Sequence, residues 1–137
     1  MKILIDTNII LDALMSRDPW EESAQNLFLA IAKEKAEGCI TASSFTDLYY
    51  LLRKHLHDNE KTKQTLLGLL AVITVLDAHG TDCEKAINHA MTDVEDALLA
   101  QCANRHKVSY IVTRNSKHFQ NSPVKPISPD DLLKILE

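Results

Sequence analysis

The sequence lacks long apolar runs. None approaches the roughly 18–20 consecutive apolar residues that a membrane-spanning helix needs. The apolar segment after Lys2, near the amino terminus, has three residues, far fewer than a secretory signal requires. We therefore expect a cytoplasmic protein with no membrane association.

Cysteine is scarce, and its spacing argues against two classes of stabilised fold. The three residues, Cys39, Cys83 and Cys102, are odd in number and widely separated, and they form no Cys-x-x-Cys pair. A disulfide framework or a structural zinc site is therefore disfavoured. We expect buried free thiols instead.

An excess of positive charge is also absent. The formal net charge is -4, and the sequence pI is about 5.8. These values argue against a broad basic surface for nucleic acid. They do not exclude a nucleic-acid enzyme, because carboxylates that hold a divalent metal ion would account for several of the negative charges.

The residues that are present indicate one α/β domain, residues 1–137. With 45% hydrophobic and 25% charged residues, the chain can bury a single core. Runs of β-favouring residues predict strands at 3–5, 39–41, 72–76, 109–112 and 124–127. Helical patterns lie between them, and Gly38 is typical of the residue that ends a helix. This alternation predicts a parallel sheet covered on both faces.

Four aspartates occupy positions from which they can converge. Asp6 directly follows the first predicted strand, and chemistry in open parallel sheets gathers at the carboxyl ends of strands. Asp47 lies early in the helix after the second strand, and Asp93 and Asp96 share one face at the start of a later helix. Carboxylates brought together repel, which raises their pKa values unless a cation neutralises them. Mg²⁺ or Mn²⁺ suits such oxygen ligands and can activate water for attack on phosphorus.

Each of these acids also has a simpler explanation. A capping box opened by Thr92 would begin the later helix, and the helix dipole alone favours Asp93 and Asp96 there. Asp47 is explained equally well as an exposed acid of an early helical turn. An ordinary turn role remains open for Asp6, although a carboxylate that ends a buried strand must find partners.

Four short motifs resemble those of PIN-domain proteins. They occur in the order seen in that family and span nearly the whole chain. The motifs are IDTNIILD at 5–12, TASSFTDLYY at 41–50, DVEDAL at 93–98 and IVTRNSKHF at 111–119. The resemblance implies an α/β fold, namely a three-layer α/β/α sandwich with a central parallel sheet and an acidic pocket at the carboxyl edge of the strands.

The resemblance also implies a function. PIN-domain proteins are typically Mg²⁺- or Mn²⁺-dependent nucleases, most often ribonucleases, and many are the toxins of VapBC-type toxin–antitoxin pairs. It thus implies an RNA substrate, an antitoxin partner and a homodimer. Carried over by position, it assigns metal binding and catalysis to Asp6, Asp47 and Asp96, with Asp93 as an additional catalytic acid.

The chain departs from the family pattern at two places. Asp47 stands where glutamate is common, and it is shorter by one methylene, so we expect it to reach a metal ion through water. The fourth motif has no acid at Asn115 or His118, where aspartate often occurs. These differences predict an incomplete acidic ring, with one metal ion rather than two or with substrate phosphate completing the site.

Polar residues near the acids have expected supporting roles. Asn8, Thr113 and Asn115 are candidates to orient carboxylates by hydrogen bonding, and a helix N-cap is an equal explanation for Asn8. Arg114 and Lys117 follow the fourth strand and are candidates for contacts with RNA phosphate. Solvated loop charges are the alternative for both.

Two other features have mainly structural explanations. The basic runs at 53–55 and 105–107 lie near helix C-termini, where the dipole favours cations. Of Tyr49 and Tyr50, we expect one to pack and one to be exposed, where a ring can stack on an unpaired base.

The sequence therefore predicts a divalent-metal-dependent endoribonuclease of the PIN type, with a toxin role. The alternative is a non-catalytic PIN-fold module that binds RNA or a protein partner, since the fourth acid is missing. A phosphatase with Asp6 as nucleophile is a weaker third hypothesis. Such sites usually carry a second aspartate two residues later, and here that residue is Asn8.

Overall fold

Five parallel strands form the central sheet of the molecule. The computed structural model describes all 137 residues. The strands are β1 (Lys2–Ile5), β2 (Glu37–Thr41), β3 (Thr74–Leu76), β4 (Tyr110–Val112) and β5 (Lys125–Ile127). Their spatial order is β3-β2-β1-β4-β5, and each neighbouring pair is parallel. The predicted parallel sheet is confirmed, with β1 at its centre.

Helices cover both faces of this sheet. They are α1 (Thr7–Leu14), α2 (Glu21–Ala32), α3 (Ala42–Leu56), α4 (Asn59–Leu70), α5 (Gly80–Ile87), α6 (Val94–Arg105) and α7 (Pro129–Leu136), with a 3₁₀ helix at Ser116–Phe119. Buried residues of α1–α4 and α7 share a core with Ile3 and Ile5, whereas those of α5 and α6 share a core with Leu4. Successive strand residues face opposite sides, so the sheet separates two cores. This arrangement confirms the predicted three-layer sandwich.

Gly38 lies inside β2, so its predicted role at the end of a helix is wrong. The helix α2 already ends at Ala32. A Cβ atom on Gly38 would lie 2.6 Å from Cδ1 of Ile31 and 2.9 Å from Cδ1 of Ile73. Glycine is favoured here because two isoleucine side chains pack directly against the strand backbone and would have to move to admit a Cβ atom.

The region before β3 is more helical than the sequence predicts. The carboxylate of Asp58 accepts a hydrogen bond from the backbone N–H of Lys61, so α4 begins at Asn59. At the other end, the N–H groups of Val72 and Ile73 both donate to the Leu69 carbonyl, each at 3.0 Å. These bonds continue the helical turn and shorten the predicted strand 72–76 to β3.

All three cysteines are free, as predicted, but only two are buried. Burial raises the pKa of Cys39 to about 11 and that of Cys102 to about 12. These two thiols therefore remain protonated and unreactive at neutral pH. Cys83 is exposed, which contradicts the expectation for that residue. None of the helices has both the length and the apolar character needed to cross a membrane.

A network of ion pairs joins α6 to α5 and to the end of β3. Arg105 donates from Nε and Nη2 to the buried carboxylate of Asp82, and from Nη2 to the carbonyl of Asp77 at 2.7 Å. Nε2 of His106 lies 2.7 Å from Oδ1 of Asp77. Burial acts to raise the pKa of Asp82, but the hydrogen bonds from Arg105 hold it below its usual value. Arg105 and His106 in the run 105–107 thus have the structural role that the sequence favoured.

Candidate active site

The candidate site lies at the carboxyl ends of β1 and β4. The chain places β2 and β3 on one side of β1 before returning to place β4 on the other side. Neighbouring strands with opposite connections leave a crevice at their carboxyl ends, where open α/β sheets bind ligands. Asp6 directly follows β1 and Thr113 directly follows β4, so both lie at this crevice.

Asp6 is buried and is held by a side chain from across the crevice. It is only 8% exposed. Although Asp6 is the N-cap residue of α1, its side chain makes no capping hydrogen bond. Its Oδ2 instead accepts a hydrogen bond of 2.9 Å from Oγ1 of Thr113. Burial raises the pKa of Asp6, and the Thr113 bond offsets part of that effect.

The hydroxyl of Thr113 makes two hydrogen bonds at once. Its oxygen accepts the backbone N–H of Asn115 at 3.0 Å. Its single proton is donated to Asp6, because an ionised carboxylate can only accept. Thr113 therefore contacts Asp6 in the manner that the sequence predicted, and the backbone of Asn115 supports it. The side chain of Asn115 makes no hydrogen bond to the acids.

Asn8 does not cap α1. It lies in the first turn of that helix, and the N-cap position belongs to Asp6. The structure therefore removes the simpler explanation for Asn8, which lies half-buried two residues after Asp6. An orienting role for its amide remains a prediction.

A second group of acids reaches the crevice from the start of α6. Asp93, and not Thr92 as the sequence predicted, is the N-cap residue, and its Oδ1 accepts from the N–H of Asp96 at 3.1 Å. The carboxylate of Asp93 therefore caps the N-terminus of α6. The correction follows from the position of α6, which begins one residue later than a cap at Thr92 requires.

Asp96 has the most perturbed carboxylate of this group. Its pKa is raised to about 6, first by burial and then by the negative charges of Asp93 and Asp6. Nδ1 of His118 lies 3.6 Å from Oδ2 of Asp96 and partly offsets this repulsion. The negative charge of Asp6 contributes to the raised pKa of Asp96, so these two predicted site residues lie within electrostatic range of one another.

Glu95 is an exposed acid next to this group, which the sequence analysis did not single out. Partial burial raises its pKa, and the charges of Asp47, Asp93 and Asp6 add to the effect. The sequence assigned Glu95 to the capping box, but the cap at Asp93 leaves its carboxylate free. An acid adjacent to Asp96 at the start of the same helix was the available signal.

Asp47 lies at the edge of the acidic group. It is exposed on α3 and forms no ion pair, and among these acids its charge acts on Glu95. No three His, Cys, Asp or Glu side chains of the chain lie close enough together to hold one metal ion. Asp6, Asp47 and Asp96 therefore do not form a ready three-carboxylate ligand set. The acids of this group offer carboxylate oxygens with excess negative charge, which is the chemistry that a hard divalent cation favours, and His118 is the one nitrogen beside them.

Arg114 is neither a solvated loop charge nor a free phosphate ligand in this structure. Its Nε lies 2.7 Å from Oδ2 of Asp12, and its Nη2 lies 3.2 Å from Oδ1. The guanidinium carbon lies 3.8 Å from the centroid of the Trp20 ring. Asp12 is fully buried. Arg114 is thus engaged in a bidentate ion pair that ties the loop after β4 to α1.

Lys117 is exposed and forms no ion pair. It lines a polar cavity of about 350 Å³ together with Asp93 and His118, beside the acids. Of the two cations predicted to contact substrate, Lys117 is therefore the one left available for an anionic group.

The sequence of the chain matches a known family over most of its length. The family model of the PIN domain matches residues 2–117. The chain belongs to the PIN-domain family. No curated protein sequence matches it significantly.

Solved structures share the fold of this PIN domain at low sequence identity. VapBC2 from Rickettsia felis, bound to a DNA fragment from its promoter, has a TM-score of 0.70 and 20% identity, covering 93% of this chain and 98% of that one. FitAcB from Neisseria gonorrhoeae has a TM-score of 0.66 and 22% identity, with coverage of 93% and 97%. DNA-bound VapBC from Salmonella typhimurium has a TM-score of 0.69 and 18% identity, with coverage of 94% and 98%. At these identities the likeness establishes the fold.

The structure gives a reason for one departure of the fourth motif from the family pattern. His118, which stands at one position where the family often has an acid, lies beside Asp96. A further carboxylate at that place would have added to the repulsion that already raises the pKa of Asp96. The imidazole instead provides a partner for Asp96 when it is protonated.

Proposed function

We propose that this PIN domain is a divalent-metal-dependent endoribonuclease that hydrolyses RNA phosphodiester bonds. The observation that supports it is the convergence of buried Asp6 with Asp96, whose pKa is raised to about 6. Keeping both groups ionised at neutral pH is costly unless a cation offsets their repulsion. The arrangement is therefore better suited to an ion-bound state than to the free protein.

Asp6 and Asp96 would hold the ion directly. Asp47 and Glu95 would contact it through bound water. Mg²⁺ is usually bound by one or two carboxylates, several waters and substrate phosphate, so the absence of a three-carboxylate set fits this class of site. When bound, Mg²⁺ or Mn²⁺ supplies an activated water and offsets charge at the phosphate. Asp93 remains an assisting acid in this proposal.

The residues of the chain itself have three tasks. Thr113 holds Asp6 in one orientation through its 2.9 Å hydrogen bond. The Arg114–Asp12 ion pair fixes the loop that carries Thr113. Lys117 lies beside Asp93 and is free of ion pairs, and its task in this proposal is to bind an RNA phosphate. No side chain with a nucleophile is required, and no covalent intermediate is proposed.

RNA cleavage is the test of the enzyme. Purified protein with Mn²⁺ or Mg²⁺ should shorten a mixed RNA pool, and EDTA should stop the reaction. Asp6→Asn should abolish cleavage while its thermal unfolding stays cooperative. Glu22→Gln, an exposed acid on α2, is the matched control and should cleave normally. An RNA pool left intact under all metal conditions would refute the proposal.

We also infer that the protein is the toxin of a toxin–antitoxin pair and a homodimer. The support is the fold shared with VapBC and FitAcB structures. Induced expression in a bacterial host should arrest growth, and co-expression of the neighbouring gene should restore it. Growth unaffected by the wild type and by Asp6→Asn alike would contradict the toxin role. Light scattering tests the dimer directly.

A non-catalytic module that binds RNA or a protein partner is the second candidate. It is favoured by the lack of a ready metal-ligand set and by the absence of an acid at Asn115 and His118. It predicts RNA binding that neither EDTA nor Asp6→Asn changes, with no cleavage.

A further inference from the structure

A second cavity lies on the helix that carries Asp47. Its volume is about 450 Å³, and it is formed where α3 meets α4. Its lining residues are Tyr50, Arg53, Lys54, His57, Asp58 and Asn59. The exposed residues Asp47, Tyr50 and Lys54 are spaced by three and four, so they share one face of α3. This face leads from the acidic group to the cavity over about 10 Å, at ~1.5 Å per residue.

The side chain of Tyr50 does not pack into either hydrophobic core. It is 64% exposed. The adjacent Tyr49 packs against the core, and its hydroxyl donates to the side chain of Asn59, which joins α3 to α4. An exposed ring beside cations is the usual platform on which an unpaired base stacks.

The cations Arg53 and Lys54 of this cavity form no ion pairs within the chain. Of the four arginines, Arg17, Arg105 and Arg114 form ion pairs, whereas Arg53 forms none. Lys54 forms none either. The one acid in the lining, Asp58, accepts the N–H of Lys61 at 3.0 Å and thereby caps α4. Arg53 and Lys54 therefore present free positive charge beside the exposed ring of Tyr50, which suits the phosphates of a nucleic-acid strand.

We propose that this face of α3, defined by Tyr50, Arg53 and Lys54, binds single-stranded RNA that extends from the acidic site. The ring of Tyr50 stacks on a base, and the two cations contact phosphates. The path from Asp47 to Lys54 is about 10 Å long, at ~1.5 Å per residue, so a single strand crosses it within a few nucleotides. This inference rests on the proposed ribonuclease function. It adds the path that the substrate strand follows across the protein surface. It also gives the basic run 53–55 a role besides favouring the helix C-terminus.

Binding can be measured without cleavage in the Asp6→Asn background. A labelled single-stranded RNA of twelve nucleotides is titrated and followed by fluorescence anisotropy. Adding Tyr50→Ala should weaken binding about tenfold, because base stacking is lost, while adding Tyr50→Phe should leave it unchanged. Removing Arg53 and Lys54 together should reduce the slope of log K against log salt by about 1.4.

Matched controls separate this surface from general charge effects. Lys35→Ala, an exposed cation on the connection before β2, should lower affinity less than twofold. A duplex RNA of the same sequence should bind at least tenfold more weakly, since its bases cannot stack on Tyr50. Equal affinity of the Tyr50→Ala and Tyr50→Phe proteins would overturn the proposal, as would a loss of affinity for Lys35→Ala as large as that for the protein without Arg53 and Lys54.

The two proposals fail in different ways. If the wild type never cleaves RNA but Tyr50→Ala still weakens binding about tenfold, the RNA surface stands and the ribonuclease is refuted. If the wild type cleaves RNA and Tyr50→Ala leaves KM and kcat unchanged, the ribonuclease stands and the RNA surface is refuted.

Discussion

Asp96→Asn should stabilise the protein in the absence of metal. The pKa of Asp96 is raised from 3.8 to about 6, chiefly by burial and then by the charges of Asp93 and Asp6. A difference of this size corresponds to about 3 kcal/mol, at ~1.36 kcal/mol per pKa unit. Its side chain keeps 17% exposure, and solvent screening reduces the expected gain to about 1–2 kcal/mol at neutral pH.

The pH dependence of this gain has a defined direction. Because the pKa of Asp96 is higher in the folded than in the unfolded protein, the folded state binds more protons between about pH 4 and pH 6. Stability from protonated Asp96 is therefore present below about pH 4 and lost as the pH rises through about 6. The advantage of Asp96→Asn should thus be largest above pH 6 and close to zero at pH 4.

Urea denaturation at pH 7.5 and pH 4, in EDTA and in Mn²⁺, measures these effects. In EDTA at pH 7.5 the variant should unfold at higher urea than the wild type. Mn²⁺ should stabilise the wild type and leave the variant nearly unchanged. Glu22→Gln should match the wild type under every condition. A variant that is less stable than the wild type at pH 7.5, or equally shifted at both pH values, would refute this account of the site.

Three further substitutions test residues that stabilise the sheet and the site, and each is measured by urea denaturation. Arg114→Met should lower the free energy of unfolding by about 3 kcal/mol, because the buried carboxylate of Asp12 loses its bidentate partner and keeps only Arg17, whose Nη1 lies 3.8 Å away; a loss below 1 kcal/mol would contradict this role. Gly38→Ala should cost about 1–3 kcal/mol through overpacking, and an unchanged midpoint would show that the isoleucines yield. Thr113→Val should cost about 1–3 kcal/mol and slow RNA cleavage, because Asp6 loses a hydrogen-bond donor; full activity would remove Thr113 from the site.

Sequence patterns predicted the parts of the fold that depend on residues close together in the chain. The run before Asp6 forms β1 because consecutive β-favouring residues suit a strand covered on both faces. The spacing of Asp93 and Asp96 placed both at a helix start, and the structure retains that placement. Even there, the choice of cap between Thr92 and Asp93 depended on where the chain enters α6. That position is set by tertiary packing.

The features that the sequence did not predict depend on distant partners. Gly38 is dictated by Ile31 and Ile73, which contact it only after α2 and β3 have packed. Arg114 finds Asp12 across 102 positions of sequence. No local pattern distinguishes such a buried pair from a loop cation and an ordinary helical acid. The positions of the four aspartates after strands and at helix starts singled them out, the family resemblance supplied their roles, and the structure added Glu95.

The most direct test of the central claim is Mn²⁺ occupancy in a crystal of the wild-type protein. Anomalous density measured after a Mn²⁺ soak should appear between the carboxylates of Asp6 and Asp96, with oxygen distances of about 2.1 Å. Density at that place would establish the divalent-metal site on which the ribonuclease proposal depends. Saturating Mn²⁺ that leaves the crevice empty, or that binds away from Asp6, would contradict it.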